Sequence, residues 1–296
     1  MIKAQDIVES VADAFQFISY YHPKDFIDAV FTAYKKEQSP AAKDALAQIL
    51  TNSKLCAMGK RPICQDTGIA TIFVKIGHEC KFDFNNKSLT DLLNEGVRLA
   101  YTNTNNPLRA SVLADPASQR VNTKDNTPAV IHFEVCSGAD LDIICAAKGG
   151  GSEAKSKLFM LNPSDSVADT IINAIPTMGA GWCPPGILGI GIGGTPEKAL
   201  LLAKKSLMDS INIQDLIKTG PQNKIEELRL EIYQRANELG IGAQGLGGLT
   251  TVLDVKILQY PTHAANLPVG LIPNCAATRH IHFKLNGSGP AKLTPP

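Results

Sequence analysis

The chain has 296 residues, 44% of them hydrophobic and 19% charged, with a formal net charge of +1. This is the composition of a globular protein with a sizeable core, and it excludes an intrinsically disordered one. The balanced charge, with no basic stripe interleaved with aromatics, excludes nucleic acid as the partner, and no apolar run approaches the roughly 20 residues needed to span a bilayer.

The opening MIKAQDIVES lacks the apolar core of a secretory signal. With an odd number of cysteines, seven, the expectation is free thiols in a reducing compartment, the cytoplasm. The helical start, about 1–60, is read from periodicity. Ile7, Val8, Val11, Phe15 and Ile18 recur at helical spacing, as do Phe26, Ile27, Val30, Phe31 and Tyr34. Ser39-Pro40 opens a third helix carrying Ala45, Leu46, Ile49 and Leu50. A strand over 69–76 and a helix over 89–101 follow. Residues 129–135 and 141–147 predict paired strands joined by Ser137-Gly138. Next come a helix at 167–175, a glycine-rich strand at 187–192 and a helix at 195–208 with Pro196 in its first turn. A helix at 225–239, closed by Gly240, precedes strands at 250–258 and 281–285. The fold class expected is α/β in mixed α+β layers: a helical N-terminal segment, then mixed sheets flanked by helices. One domain is expected over 1–285. The tail, 286–296, has the composition of a linker and suggests either a following segment or a docking strap.

Three cysteines stand where regular structure is interrupted. Cys64 lies in Arg-Pro-Ile-Cys-Gln-Asp-Thr-Gly, Cys183 in Gly-Trp-Cys-Pro-Pro-Gly, and Cys275 in Ile-Pro-Asn-Cys-Ala-Ala-Thr-Arg-His. Loops present side chains, and three thiolates can hold an iron–sulfur cluster by three corners, leaving one iron open as a Lewis acid. Neither ferredoxin nor zinc-finger spacing is present. Cys56, Cys80, Cys136 and Cys145 suit the alternative use of cysteine as a small core hydrophobe.

Other segments carry chemistry of their own. Gln65 and Asp66 follow Cys64 directly; a carboxylate beside a metal ligand can move a proton, although Asp-Thr-Gly is also good turn chemistry. Lys148-Gly149-Gly150-Gly151-Ser152-Glu153-Ala154-Lys155 lets backbone N–H groups converge on an anion such as a carboxylate. It is otherwise a hairpin or a strand-to-helix turn. The glycines from Gly189 to Gly194 miss the dinucleotide fingerprint and suggest close backbone packing beneath the Cys183 loop. His263 follows a proline loop and is either an acid–base group or a satisfied structural histidine. His280 and His282 share a strand face. Arg109, past a loop proline, has the fork that grips a carboxylate.

Together the stretches 61–68, 122–132, 148–165, 179–195, 239–254 and 260–280 resemble the α region of the iron–sulfur hydro-lyases, specifically the class I fumarate hydratases. The resemblance covers nearly the whole chain. It implies that Cys64, Cys183 and Cys275 ligate a [4Fe–4S] cluster whose fourth iron faces a small dicarboxylate, fumarate or malate. It implies catalytic roles for Asp66 and His263, and substrate contacts from Gln65, Arg109, Gly149, Gly150 and Gly151. The reaction implied is reversible hydration of fumarate to (S)-malate, in the tricarboxylic acid cycle. The family's β region has no counterpart in this sequence, so the resemblance also implies a β subunit or fused β domain, inactivity of the chain alone, and assembly into homo-oligomers such as dimers. The tartrate dehydratases share the three-cysteine plan and are the alternative within the class. Outside it stand a cluster-bearing redox sensor or scaffold and a nucleotide-dependent oxidoreductase.

Overall fold

A computed structural model describes residues 1–295; the final residue of the expected tail, Pro296, lies outside the described residues. The chain begins with β1 (Ile2–Lys3) and three helices, α1 (Ala4–Tyr20), α2 (Lys24–Lys36) and α3 (Pro40–Gly59). These are followed by β2 (Ile69–Gly77), β3 (Phe82–Asp83), α4 (Leu89–Tyr101), β4 (Leu113–Ala114), β5 (Val121–Asn122), β6 (Val130–Cys136) and β7 (Leu141–Lys148). The short α5 (Gly150–Glu153), β8 (Lys157–Leu161), α6 (Val167–Thr177), β9 (Gly186–Gly193) and α7 (Pro196–Ser206) come next. The chain continues through α8 (Ile213–Thr219), α9 (Lys224–Glu238), β10 (Val252–Tyr260), β11 (Leu267–Asn274) and β12 (His280–Leu285). It is a mixed α/β protein with a helical start, as expected. It divides into two compact units: one comprises Met1–Pro23, Ser53–Gly150 and the chain from Arg279 onward, the other Lys24–Asn52 and Gly151–Thr278.

In the first unit the sheet order is β12-β7-β2-β6. β7 runs antiparallel to both β12 and β2, whereas β6 is parallel to β2. The expected hairpin of 129–135 with 141–147 is therefore corrected: both segments are strands, but β2 lies between them. β2 is buried on both faces, from Ala70 through Val74, which makes it fit for a central position. Helices α1 and α4 bury Ile7, Val11, Phe15, Leu92, Leu93 and Val97 against the inward side chains of β2 and β7. Gly96 lets the two helices approach, since a β-carbon there would stand 2.7 Å from Val11 Cβ. α4 is started by a reciprocal capping box, Ser88 with Asp91. Ala291 and Leu293 of the tail pack on this core, and the Ala291 N–H donates to Ser10 Oγ at 2.9 Å.

In the second unit the order is β10-β9-β11-β8. β9 is parallel to β10 and antiparallel to β11. The sheet is covered on both faces. Leu188, Ile190, Val255, Val269 and Leu271 meet α6 and α9, and Ile187 and Ile272 meet α7. Gly189 and Gly191 fall on the α7 face by strand alternation, where any β-carbon would overlap the carbonyl oxygens of Ala203 and Ala199. The close packing expected of these glycines is present, but its partner is α7 rather than the Cys183 loop. That contact occupies the backbone approach a dinucleotide would need.

β11 escaped the sequence reading because Pro268, Gly270 and Pro273 punctuate it. Each proline sits where β11 has one neighbour only: Pro268 lies opposite Met160 of β8, and Pro273 opposite Leu188 of β9. There the missing N–H can face away from the ladder. No helix among the described residues is long and apolar enough to cross a membrane.

Candidate active site

Strand direction gathers the motifs of each unit at one end of its sheet. In the first unit β2 begins opposite the end of β7, Ile69 against Lys148. The 61–68 loop thus enters where the Gly149–Gly150 turn leaves. β12 begins against Ala146, which brings Arg279 to the same end. β6 runs parallel to β2, so the 122–128 loop arrives there too.

The contacts are specific. Asp66 Oδ1 accepts from the Gly68 N–H at 2.9 Å, and Oδ2 accepts from the Gly150 N–H at 2.7 Å. One amide of the glycine turn, that of Gly150, therefore already serves a carboxylate, the protein's own. A β-carbon at Gly149 would stand 3.2 Å from Asp66 Oδ2, so glycine there admits the carboxylate. Thr67 Oγ1 donates to the Arg109 carbonyl and lies 3.0 Å from Ser111 Oγ. Arg109 is itself exposed, as is Gln65, whose Oε1 accepts from the half-buried Cys64 thiol at 3.4 Å.

Two residues that sequence reasoning passed over hold these loops. Asn126 is fully buried, at φ +61°. Its Oδ1 accepts from the Ser111 and Val112 N–H groups at 2.7 and 3.2 Å, and its Nδ2 donates to the Gly68 carbonyl at 3.1 Å. Asparagine tolerates the left-handed region better than most side chains, and Asp-Asn-Thr-Pro was the available turn signal. Arg279 is buried, and its Nη1 donates to the Asp66 carbonyl at 2.6 Å. Beneath them the Tyr101 hydroxyl donates to the Thr67 carbonyl at 3.1 Å; burial pushes its pKa up to about 12.

The second unit repeats the logic. β9 and β11 are antiparallel with Ile187 opposite Asn274. Cys183, just before β9, and Cys275, just after β11, consequently emerge at the same end. The Ala276 N–H donates to the Cys183 carbonyl at 3.0 Å. Thr278 Oγ1 closes the Cys275 turn onto the Cys275 carbonyl at 3.1 Å. Cys183 is exposed and takes the left-handed conformation, φ +54° and ψ +65°, which is uncommon for a residue with a β-carbon. Trp182 before it is fully buried, and after it the Pro184 carbonyl accepts from both the main-chain N–H and Nε2 of Gln244, each at 2.7 Å. Gln244, also passed over in the sequence, has φ +55°. Gly181 and Lys155 come together here, the lysine Cε lying 3.6 Å from a β-carbon built at Gly181.

His263 is elsewhere in its unit. It is exposed and lines an open cleft of about 470 Å³ with Lys198, Glu197, Tyr260 and Thr262. Its Nδ1 accepts from the Ala265 N–H at 3.1 Å, which leaves Nε2 as the nitrogen facing outward. Among the cysteines expected in the core, Cys56 and Cys145 are buried and burial raises both thiols, whereas Cys80 and Cys136 are only half-buried. Among the described residues no three His, Cys, Asp or Glu side chains are grouped to hold a metal ion.

A family model described as fumarate hydratase (Fumerase) matches residues 8–284. A Methanocaldococcus jannaschii protein named "Putative L(+)-tartrate dehydratase subunit alpha" is 37% identical over 279 residues, 92% of this chain and 95% of that protein. The anaerobic class I fumarate hydratase of Escherichia coli is 32% identical over 263 residues, 86% of this chain but 46% of its own length. An E. coli L(+)-tartrate dehydratase subunit alpha is 30% identical over 278 residues, 92% of this chain and 88% of that subunit. The chain thus spans nearly the whole of the two subunits and about half of the fumarate hydratase.

Proposed function

The chain belongs to the fumarate hydratase (Fumerase) family, and on that premise we propose that it is the cluster-bearing α part of a hydro-lyase that reversibly hydrates fumarate to (S)-malate. The observation that carries this reading is Asp66, two residues after Cys64, with each carboxylate oxygen held by a backbone N–H within its own unit. A carboxylate aimed in this way is poised to hold or hand over one proton.

The donor set suits an iron–sulfur cluster. Cys64, Cys183 and Cys275 are free thiols on loops, all more accessible than Cys56 and Cys145, and the strained backbone of Cys183 is typical of a residue kept for function. A [4Fe–4S] cluster on these three would supply an open iron that binds and polarises the substrate oxygen. Asp66 then moves the proton of the added hydroxyl. Arg109 receives the far carboxylate, on which negative charge grows during addition. Gln65 and the 149–151 turn line the pocket; His263, beyond the end of β9 and β10 farthest from Cys183, has no step beside these thiols.

Hydration also places a proton on the neighbouring carbon, and that donor belongs to a β subunit or fused β domain. Two relatives are named as alpha subunits, which supports such a partner. The active unit assembles further as a homo-oligomer, in the cytoplasm. The decisive experiment rebuilds the cluster anaerobically, adds the β part and follows loss of fumarate absorbance. Four irons per chain with turnover support the reading; an iron-free protein, or a loaded one without turnover, rejects it.

L(+)-tartrate is the second reading, favoured by the 37% identity to the M. jannaschii protein over nearly its full length. Comparing kcat/KM for the two diacids decides between them.

A further inference from the structure

We propose that Arg279 is a positioning residue that locks Asp66 into its working geometry, an inference that rests on the role given to Asp66 above. Arg279 is only 4% exposed. Its backbone is fixed by the Ala147 N–H, which donates to the Arg279 carbonyl at 3.0 Å, just before the glycine turn. One arm of its guanidinium, Nη1, donates to the Asp66 main-chain carbonyl at 2.6 Å. The other, Nη2, lies 3.5 Å from where a Gly149 β-carbon would stand, a point itself 3.2 Å from Asp66 Oδ2. The guanidinium therefore holds the Asp66 main chain and lies next to Gly149, the residue that leaves room for the Asp66 carboxylate.

Its remaining donor, Nε, is buried without a hydrogen-bond partner among the described residues, and no carboxylate pairs with Arg279 there. Burying a cation without an ion pair opposes folding. An apolar residue would serve packing better, so the charge and the planar fork are kept for what they hold. A lysine ammonium, a mobile point of charge, lacks the rigid plane that sets Nη1 on the Asp66 carbonyl with Nη2 alongside Gly149. With Nη1 on its carbonyl, the Asp66 peptide cannot rotate. Its carboxylate then has one setting, bridging the Gly68 and Gly150 amides.

The test uses the cluster-loaded chain with its β part, on wild type, Arg279→Lys, Asp66→Asn and the double variant. Arg279→Lys is expected to lower kcat ~10²-fold, the effect of a small misplacement of a reacting group, with KM and iron content little changed. In the Asp66→Asn background the same change should cost nothing more, because Arg279 acts through Asp66. In the iron-free chain, hydrogen exchange at the Gly150 amide should quicken in Arg279→Lys while the rest of β2 and β7 keeps its protection. Unchanged kcat, losses that multiply in the double variant, or unchanged exchange at Gly150 would each overturn the proposal. If Arg279→Lys does not fold, Arg279→Gln replaces it; two unfolded variants would make Arg279 a stability residue and overturn the proposal too. A wild type inert towards both fumarate and L(+)-tartrate would instead reject the hydro-lyase reading, and the exchange result would still report on the Arg279–Asp66 lock.

Discussion

The Ala276 N–H donates to the Cys183 carbonyl at 3.0 Å, so two thiols far apart in sequence start from hydrogen-bonded loops at one end of the second unit's sheet. Replacing Ala276 by proline removes that donor and confines Cys275 to extended backbone. The fold should survive, since the ladder of β11 ends at Asn274. Iron bound after anaerobic reconstitution should fall well below wild type, towards the level of Cys275→Ser. Cys136→Ser, at the end of β6 in the other unit, should bind iron as wild type does. Equal iron in Ala276→Pro and wild type would mean that this bond does not organise the ligands.

Asp66→Asn keeps the shape of the side chain but turns one oxygen into an NH₂ group. One of the two amides that now meet a carboxylate oxygen, Gly68 or Gly150, would then face a second donor. The expected loss of stability is about 0.5–1.5 kcal/mol, the net worth of one hydrogen bond, since the NH₂ can turn to the exposed Gly150 amide. The expected loss of kcat is about 10²–10⁴-fold, the usual worth of a positioned acid–base group. Urea denaturation and steady-state kinetics on one preparation separate the two effects. Wild-type turnover in the variant would remove Asp66 from the chemistry.

What the sequence disclosed was local. The periodicity of α1, α4 and α9 and the turn chemistry around them were legible because each is set by residues a few positions apart. Pairing was not. The insertion of β2 between β6 and β7 depends on which apolar strand best fills the middle of a sheet, a comparison between distant segments. Nor was β11, since Pro268 and Pro273 read as breakers until the strand is seen to have a single neighbour at each. The site divides in the same way. Cys64, Cys183 and Cys275 stood out by their immediate neighbours, whereas Asn126, Gln244 and Arg279 look ordinary in sequence and gain their roles from burial and long-range bonds.

Asn126 gives a direct measure of that hidden part. Its side chain answers two N–H groups and one carbonyl, all at the loops beside Asp66 and Arg109. Asn126→Ala leaves those groups without partners in a fully buried position. The expected destabilisation is about 3 kcal/mol, with each abandoned buried group costing about 1–3 and some relaxation recovering part. Asn126→Gly should fare no better: it eases the φ of +61° but restores none of the bonds. A urea midpoint in either variant equal to that of wild type would show that the loops are held by something else.

Tyr101 offers a test of burial at the same site through pH. The hydroxyl is held at the Thr67 carbonyl, and burial raises its pKa from the ordinary 10.0 to about 12. The folded chain therefore keeps this proton where the unfolded chain releases it. Below about pH 10 both states are protonated and the contribution to stability is fully present. Between about pH 10 and about pH 12 the unfolded state binds fewer protons, so stability falls as pH rises, by about 3 kcal/mol at the limit. Tyr101→Phe has no proton to lose. Its stability relative to wild type should therefore improve steadily across that window, even though it starts lower at neutral pH for want of the Thr67 bond. Urea unfolding of both proteins at about pH 9 and about pH 11 reads this out, because Tyr20 and Tyr233, also raised by burial, are common to the pair and cancel. A difference between the two proteins that does not change with pH would place the Tyr101 hydroxyl in contact with water and undo the packing described around Asp66.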